Sequence, residues 1–230
     1  MSSALLTLAS SGGGGVLTGL QFNEYVEDTN TDTLSVNIGN YQADRVVIIL
    51  ASVSNDAGGA NYPNVLNMDG GTTEVSDTAF TTSGGVSGPI FAISDRGAFS
   101  GKTSINVNVE MNSSASVLRF IVASYTYYGG TATPDITEIN DSESNFTRTR
   151  SLTLSTPTPD FMFCLAHGGG SDIAYTAPSG ATQQSTYTVG SGDYARSQHI
   201  EDPDSGDLTS TVEQANIDFL LLYAAKINVK

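Results

Sequence analysis

The side chains best suited to chemistry in this chain are few: His167, His199, Cys164, and the carboxylates of Glu201, Asp202, Asp204 and Asp207. Histidine is the usual general base and metal ligand near neutral pH. His167 closes an apolar stretch beside Gly168-Gly169-Gly170, and His199 lies close to Asp202 and Asp204. Neither belongs to a Gly-x-Ser-x-Gly elbow or a His-Glu-x-x-His pair, so both read as strand-end or loop histidines and no catalytic residue is assigned. Cys164 sits inside Phe161-Met162-Phe163-Cys164-Leu165-Ala166; a thiol in such a run is packed and inert rather than nucleophilic. Asp204-Ser205-Gly206 matches the short string of aspartic proteases, but Glu201, Asp202 and Pro203 precede it where a shielded dyad needs apolar strand residues. It reads as a turn.

Two binding chemistries have residues to carry them. Hard cations want clustered carboxylate and carbonyl oxygens, and Asp202, Asp204 and Asp207, beside Glu201, are the candidate Ca²⁺ ligands, with Glu27, Asp28 and Asp32 a smaller cluster. Neither run has the Asp-x-Asp-x-Asp-Gly spacing, so acidic surface turns are the plainer reading and no cofactor is expected. Sugars stack on aromatic faces, and Tyr125 and Tyr127 share one side of a strand end, making them the candidate glycan platform. Tyrosine equally suits packing and subunit contacts.

The elements that must position these residues are strands. In Ser104-Ile105-Asn106-Val107-Asn108-Val109-Glu110-Met111, apolar residues alternate with small polar ones, as do Leu34, Val36 and Ile38 with Thr33, Ser35 and Asn37. Successive strand side chains point to opposite faces, so each such segment is half-buried. Strands are expected over 16–22, 32–38, 45–54, 88–94, 103–111, 117–128, 150–155, 161–167, 181–188, 207–214 and 217–229, separated by Gly/Asn/Asp/Ser turns. The pattern predicts an all-β fold, an antiparallel β-sandwich or jelly roll.

An internal echo organises the chain. Val36, Ile38, Asp44 and Asp56 correspond to Leu152, Leu154, Asp160 and Asp172, 116 residues on. Two pseudo-repeated five-strand halves, about 32–128 and 150–229, are expected to pack as one domain over 16–230. Two separate domains joined by a link around 129–149 are the alternative. Residues 1–15 form an N-terminal strand and glycine-rich linker. There Leu5, Leu6 and Leu8 precede Gly12-Gly13-Gly14-Gly15, a short apolar strand that a linker would let add to a partner's sheet, the alternative being a place in the domain's own sheet.

Composition narrows the partners. The 230 residues include 24 acidic and 9 basic ones, for a formal net charge of −15, and no Lys or Arg precedes Arg45. Phosphate binding needs cationic side chains, so neither nucleic acid nor an anionic membrane surface is an expected partner. No run approaches the ~18 apolar residues of a membrane-spanning helix, and the opening residues lack the positive charge of a secretory signal.

The order of pieces resembles an uncharacterised β-sandwich family of bacterial exoproteins and tailed-phage virion proteins. The matching features are Ser52-Val53-Ser54-Asn55-Asp56 at the end of an apolar strand, Gly101 before the alternating strand, and Ala123-Ser124-Tyr125-Thr126-Tyr127-Tyr128-Gly129-Gly130 leading to Thr133-Pro134. Pro159-Asp160 before Phe161-Met162-Phe163 completes them, and the similarity covers roughly residues 30–228. The usual Trp positions of that family carry other residues here. The resemblance implies a non-enzymatic virion component: a capsid decoration protein, head fibre or tail accessory protein. It would be located in the virion, contacting capsid or tail subunits as a homo-oligomer. The alternative is a surface carbohydrate-binding or adhesive module that binds a host surface glycan.

Overall fold

A computed structural model describes residues 16–55, 63–69, 73–75, 86–111, 117–142, 147–154, 160–168, 173–176, 182–189, 193–201, 208–218 and 220–230. The described residues form antiparallel sheets. In chain order the strands are β1 (Gly19–Thr29), β2 (Thr33–Asn37), β3 (Val46–Asn55), β4 (Pro63–Met68), β5 (Thr73–Val75), β6 (Val86–Ser94), β7 (Ser104–Met111) and β8 (Val117–Tyr128). They continue with β9 (Asp135–Ser142), β10 (Thr147–Leu154), β11 (Phe161–Gly168), β12 (Ile173–Thr176), β13 (Thr182–Val189), β14 (Asp193–Glu201), β15 (Leu208–Asp218) and β16 (Leu220–Asn228).

Four sheets result. Two have five strands, in the orders β1-β8-β3-β6-β5 and β13-β14-β11-β16-β9, and two have three, β2-β7-β4 and β10-β15-β12. Three apolar clusters join them. Val36, Ile105 and Val107 meet Val47, Ile49 and Val122 in the first. Val46, Ile48, Leu50 and Tyr125 meet Phe161, Phe163, Leu165 and Tyr223 in the second. Met162, Cys164, Ala166 and Leu222 meet Val212 in the third. The sheets therefore stack as three-stranded, five-stranded, five-stranded, three-stranded.

This layering explains the two kinds of apolar pattern. Strands β3 and β11 lie in the middle layers and are buried on both faces, so residues 46–51 and 161–166 read as unbroken apolar runs. Strand β7 lies in an outer layer and buries Ile105, Val107 and Val109 while Ser104, Asn106 and Glu110 face water. Its neighbour β2 does the same with Leu34 and Val36.

The expected link around 129–149 is not plain linker: it carries β9, which pairs with β16 at the edge of the second five-stranded sheet. The segment just before β9 is fastened by Arg96. Its guanidinium donates to the carbonyls of Asp44, Gly129, Ala132 and Val229. Asp160 completes this corner, its carboxylate accepting from the backbone N–H groups of Val229 (2.6 Å) and Lys230 (2.7 Å).

A second arginine holds the loops of the first half. Arg45 is fully buried, and its guanidinium donates to the carbonyls of Gly39, Lys102, Ala98 and Phe99 at 2.8–3.2 Å. Burial lowers its pKa from the ordinary arginine value, yet four carbonyl dipoles converging on one cation give it a substitute for water. Gly97 has φ +73°, and a Cβ there would stand 2.6 Å from the Ala43 carbonyl oxygen. Only glycine lets these two loops approach so closely.

Candidate functional site

Among the described residues, polar side chains from both halves of the chain meet in the seam between the two five-stranded sheets, which the strand pattern would leave apolar. On β3 the residues facing the second sheet are Val46, Ile48, Leu50 and then Ser52; on β11 they are Phe161, Phe163, Leu165 and then His167. The alternation thus delivers a hydroxyl and an imidazole to the same buried level. Ser52 Oγ and His167 Nδ1 are hydrogen-bonded at 2.7 Å, and both residues are fully buried. Desolvation, with a smaller contribution from the Arg119 charge, pushes His167 down to about 3 from the ordinary 6.5. It is therefore a neutral imidazole across the physiological range. Arg119 lies at the same end of the seam, 3.9 Å from the Glu27 carboxylate of the adjacent strand β1.

Further along the seam, Ser197 of β14 is fully buried and sits between two phenols. Tyr25 of β1 donates to its Oγ, and the Tyr125 hydroxyl pairs with the same oxygen at 2.6 Å. The Tyr125 ring meets Phe163 and His199 edge-on, with centroids 5.0 and 5.8 Å apart. Tyr127 meets Phe161 in the same way at 5.4 Å. Burial holds the Tyr125 phenol well above its ordinary pKa. These contacts cross from one sheet to the other, so their chemistry is adhesive: hydroxyls and an imidazole satisfy one another inside an apolar interface.

The geometry corrects one expectation. Tyr125 and Tyr127 do share a face, but that face is the seam, where they are 0% and 7% exposed. A sugar ring cannot stack on a side chain already buried against the facing sheet, so these two residues are core and not a glycan platform. His167 ends an apolar strand as its neighbours in sequence suggest, yet it is fully buried rather than at a loop surface. His199 is half-buried. Cys164 is a buried thiol outside any disulfide, packed in the cluster between β11, β16 and β15.

Leu5, Leu6 and Leu8, and Asp202, Asp204 and Asp207, lie outside the described residues. Among the described residues no three His, Cys, Asp or Glu side chains come together as a metal-holding group.

The sequence alone assigns Ser52, Ser197, Tyr25 and Arg119 no role in a site. The signal that finds the first is its parity: Ser52 stands on the same side of its strand as Val46, Ile48 and Leu50, inside an otherwise apolar run. A polar residue so placed must have a partner across the interface. No family model matches the chain, and no curated protein matches it.

Proposed function

We propose that this chain is a non-enzymatic structural component of a tailed-phage or phage-like virion, a capsid decoration, head-fibre or tail accessory protein that binds neighbouring particle subunits as a homo-oligomer. The observation that carries this reading is where the reactive groups are used. Ser52, His167 and Ser197 are fully buried as ties between sheets. The outward side chains of β2 and β7, by contrast, are polar: Thr33, Ser35, Asn37, Ser104, Asn106 and Glu110. A stiff, acidic, multilayered body suits a part that must persist on a particle surface. The resemblance over roughly residues 30–228 points the same way.

Within that reading each half is a β-sandwich of one five-stranded and one three-stranded sheet, eight described strands where five were expected, and the halves are pseudo-repeats. The docking element is the N-terminal segment with Leu5, Leu6 and Leu8. It enters the body at Val16, a large apolar residue that is 79% exposed.

Quantitative mass spectrometry of purified particles tests the proposal. Hundreds of copies, counted against the major capsid protein, identify a decoration protein; a few to a few dozen identify a fibre or tail component. Absence from every particle overturns the virion reading. Removing residues 1–10 should abolish attachment while leaving the thermal transition unchanged, and retained attachment would exclude those residues as the docking element.

A further inference from the structure

The face that each five-stranded sheet turns to the other belongs to two copies of one design. The strand orders β1-β8-β3-β6-β5 and β9-β16-β11-β14-β13 match element for element, as do β2-β7-β4 and β10-β15-β12. Registers match as well. Val46, Ile48 and Leu50 pair with Tyr127, Tyr125 and Ala123, and Phe161, Phe163 and Leu165 pair with Ile227, Ala225 and Tyr223. On the other flank Ile48 and Leu50 pair with Ile93 and Phe91, and Phe163 and Leu165 with His199 and Ser197. Equating the first residues of β3 and β11, Val46 and Phe161, whose ladder partners Tyr127 and Ile227 each stand one residue before the end of β8 and β16, sets the displacement at 115 residues, one fewer than the echo in sequence suggests. A displacement of 116 would equate Val46 with Met162, which face different clusters.

That same displacement equates Ser52 with His167, and these two residues touch. In a twofold arrangement a residue meets its own equivalent only at the axis. The sheets also stack in opposed order. Tyr25 of β1 reaches Ser197 of β14, and β6 lies against β16, so the β1 side of one sheet covers the β13 side of the other.

We infer that the chain is an internal dimer: two halves of one fold joined face to face across an approximate twofold axis that passes between Ser52 and His167. The seam is an isologous surface, and the partner it fits is a second copy of either half. Two chains can therefore exchange halves with no new contact. The segment fastened by Arg96, from Gly129 to Ala132, restrains that exchange by tying the exit of β8 to Val229.

The axis also sets a preference. Two first halves would place Ser52 against Ser52, where hydroxyls still pair. Two second halves would place His167 against His167 in the same dry site.

The test inserts a protease site between Thr133 and Pro134 in the full chain, in light and ¹⁵N-labelled forms. Both are cut, mixed, and read by native mass spectrometry before and after a brief exposure to urea. The expected result is a cut complex that stays together at nanomolar concentration and yields hybrid light/heavy complexes after urea. First-half/first-half pairs should appear, in excess over second-half/second-half pairs. Pieces that fall apart on cutting overturn the interface, and hybrids without any like-half pair overturn the twofold.

A circular permutant supplies a second readout that needs no cleavage. It begins at Pro134, joins Lys230 to Val16 through a Gly-Ser linker, and ends at Thr133. Under the twofold that join copies the natural link, so the permutant should melt as one cooperative monomer within a few degrees of the parent. A permutant that does not fold overturns the proposal.

Discussion

Ser52 and His167 hydrogen-bond across two facing sheets at 2.7 Å, although 115 residues separate them in the chain. One contributes a hydroxyl and the other a neutral imidazole, at a depth where neither meets water. The pairing makes the seam between the halves sensitive to protons while offering no exposed base.

The first prediction concerns acid. Folding lowers the His167 pKa from 6.5 to about 3, so between those values the unfolded chain binds a proton that the folded protein refuses. Stability therefore rises with pH across this window and is fully present above pH 6.5. It falls by about 1.4 kcal/mol per pH unit as pH drops toward 3. His167→Asn keeps a hydrogen-bonding partner for Ser52 and does not titrate. Urea unfolding at pH 7, 5 and 4 should show the parent losing stability faster than the variant. Parallel losses would show that His167 is not kept neutral.

Tyr125 should behave as core. Tyr125→Ala removes a ring packed on Phe163 and His199 and is expected to cost about 3–5 kcal/mol. Tyr125→Phe loses one hydroxyl, leaves Ser197 bonded to Tyr25, and should cost about 1 kcal/mol. Chemical denaturation measures both; a Tyr125→Ala protein as stable as the parent would contradict the burial described.

How much of this was legible in the sequence depends on which face a residue uses. Alternation in β2 and β7 was readable because those strands have one dry side and one wet side. The apolar runs of β3 and β11 were also readable as strands, but a run cannot say that it is covered by two different sheets. Strand β14 was missed because its seam-facing residues include Ser197 and His199, whose partners come from Tyr25 and Tyr125 in the other half. Strand β9, with its acidic sequence Asp-Ile-Thr-Glu-Ile-Asn-Asp-Ser, resembled linker because an edge strand needs few apolar residues. The seam left one local mark, Ser52 in line with Val46, Ile48 and Leu50; its other polar residues are satisfied only by distant ones and leave no local period.

Arg45 should be irreplaceable by another cation. Arg45→Met leaves the carbonyls of Gly39, Ala98, Phe99 and Lys102 without their donor, at an expected cost of about 3–5 kcal/mol. Arg45→Lys should recover little of it, since one ammonium cannot present the planar fork that reaches four carbonyls. Urea midpoints of the two variants decide the matter, and a lysine variant close to the parent would show that charge alone suffices.

Two glycines with the same backbone angle should respond differently to a methyl group. Gly97 and Gly101 both have φ +73°, but a Cβ at Gly97 would collide with the Ala43 carbonyl, whereas nothing lies within 4 Å of one at Gly101. Gly101→Ala should cost only the left-handed penalty, about 1–2 kcal/mol. Gly97→Ala should cost clearly more, because the obstructing atom is backbone. Thermal melts of the pair would reveal equal losses if conformation and not crowding set the cost.

The place of β1 in the fold has a consequence for how the protein is made. It is an edge strand whose sheet neighbour is β8, and its Gly19 lies opposite Tyr128. During synthesis β1 is thus finished while its partner is still about a hundred residues from emerging, at a translation rate that leaves it waiting for several seconds. Such distant pairing makes closure of the first half slow. Until β8 emerges, the Phe22- and Tyr25-bearing face of β1 lacks its sheet neighbour, which exposes nascent chains on one polysome to pairing with each other before the first half can close.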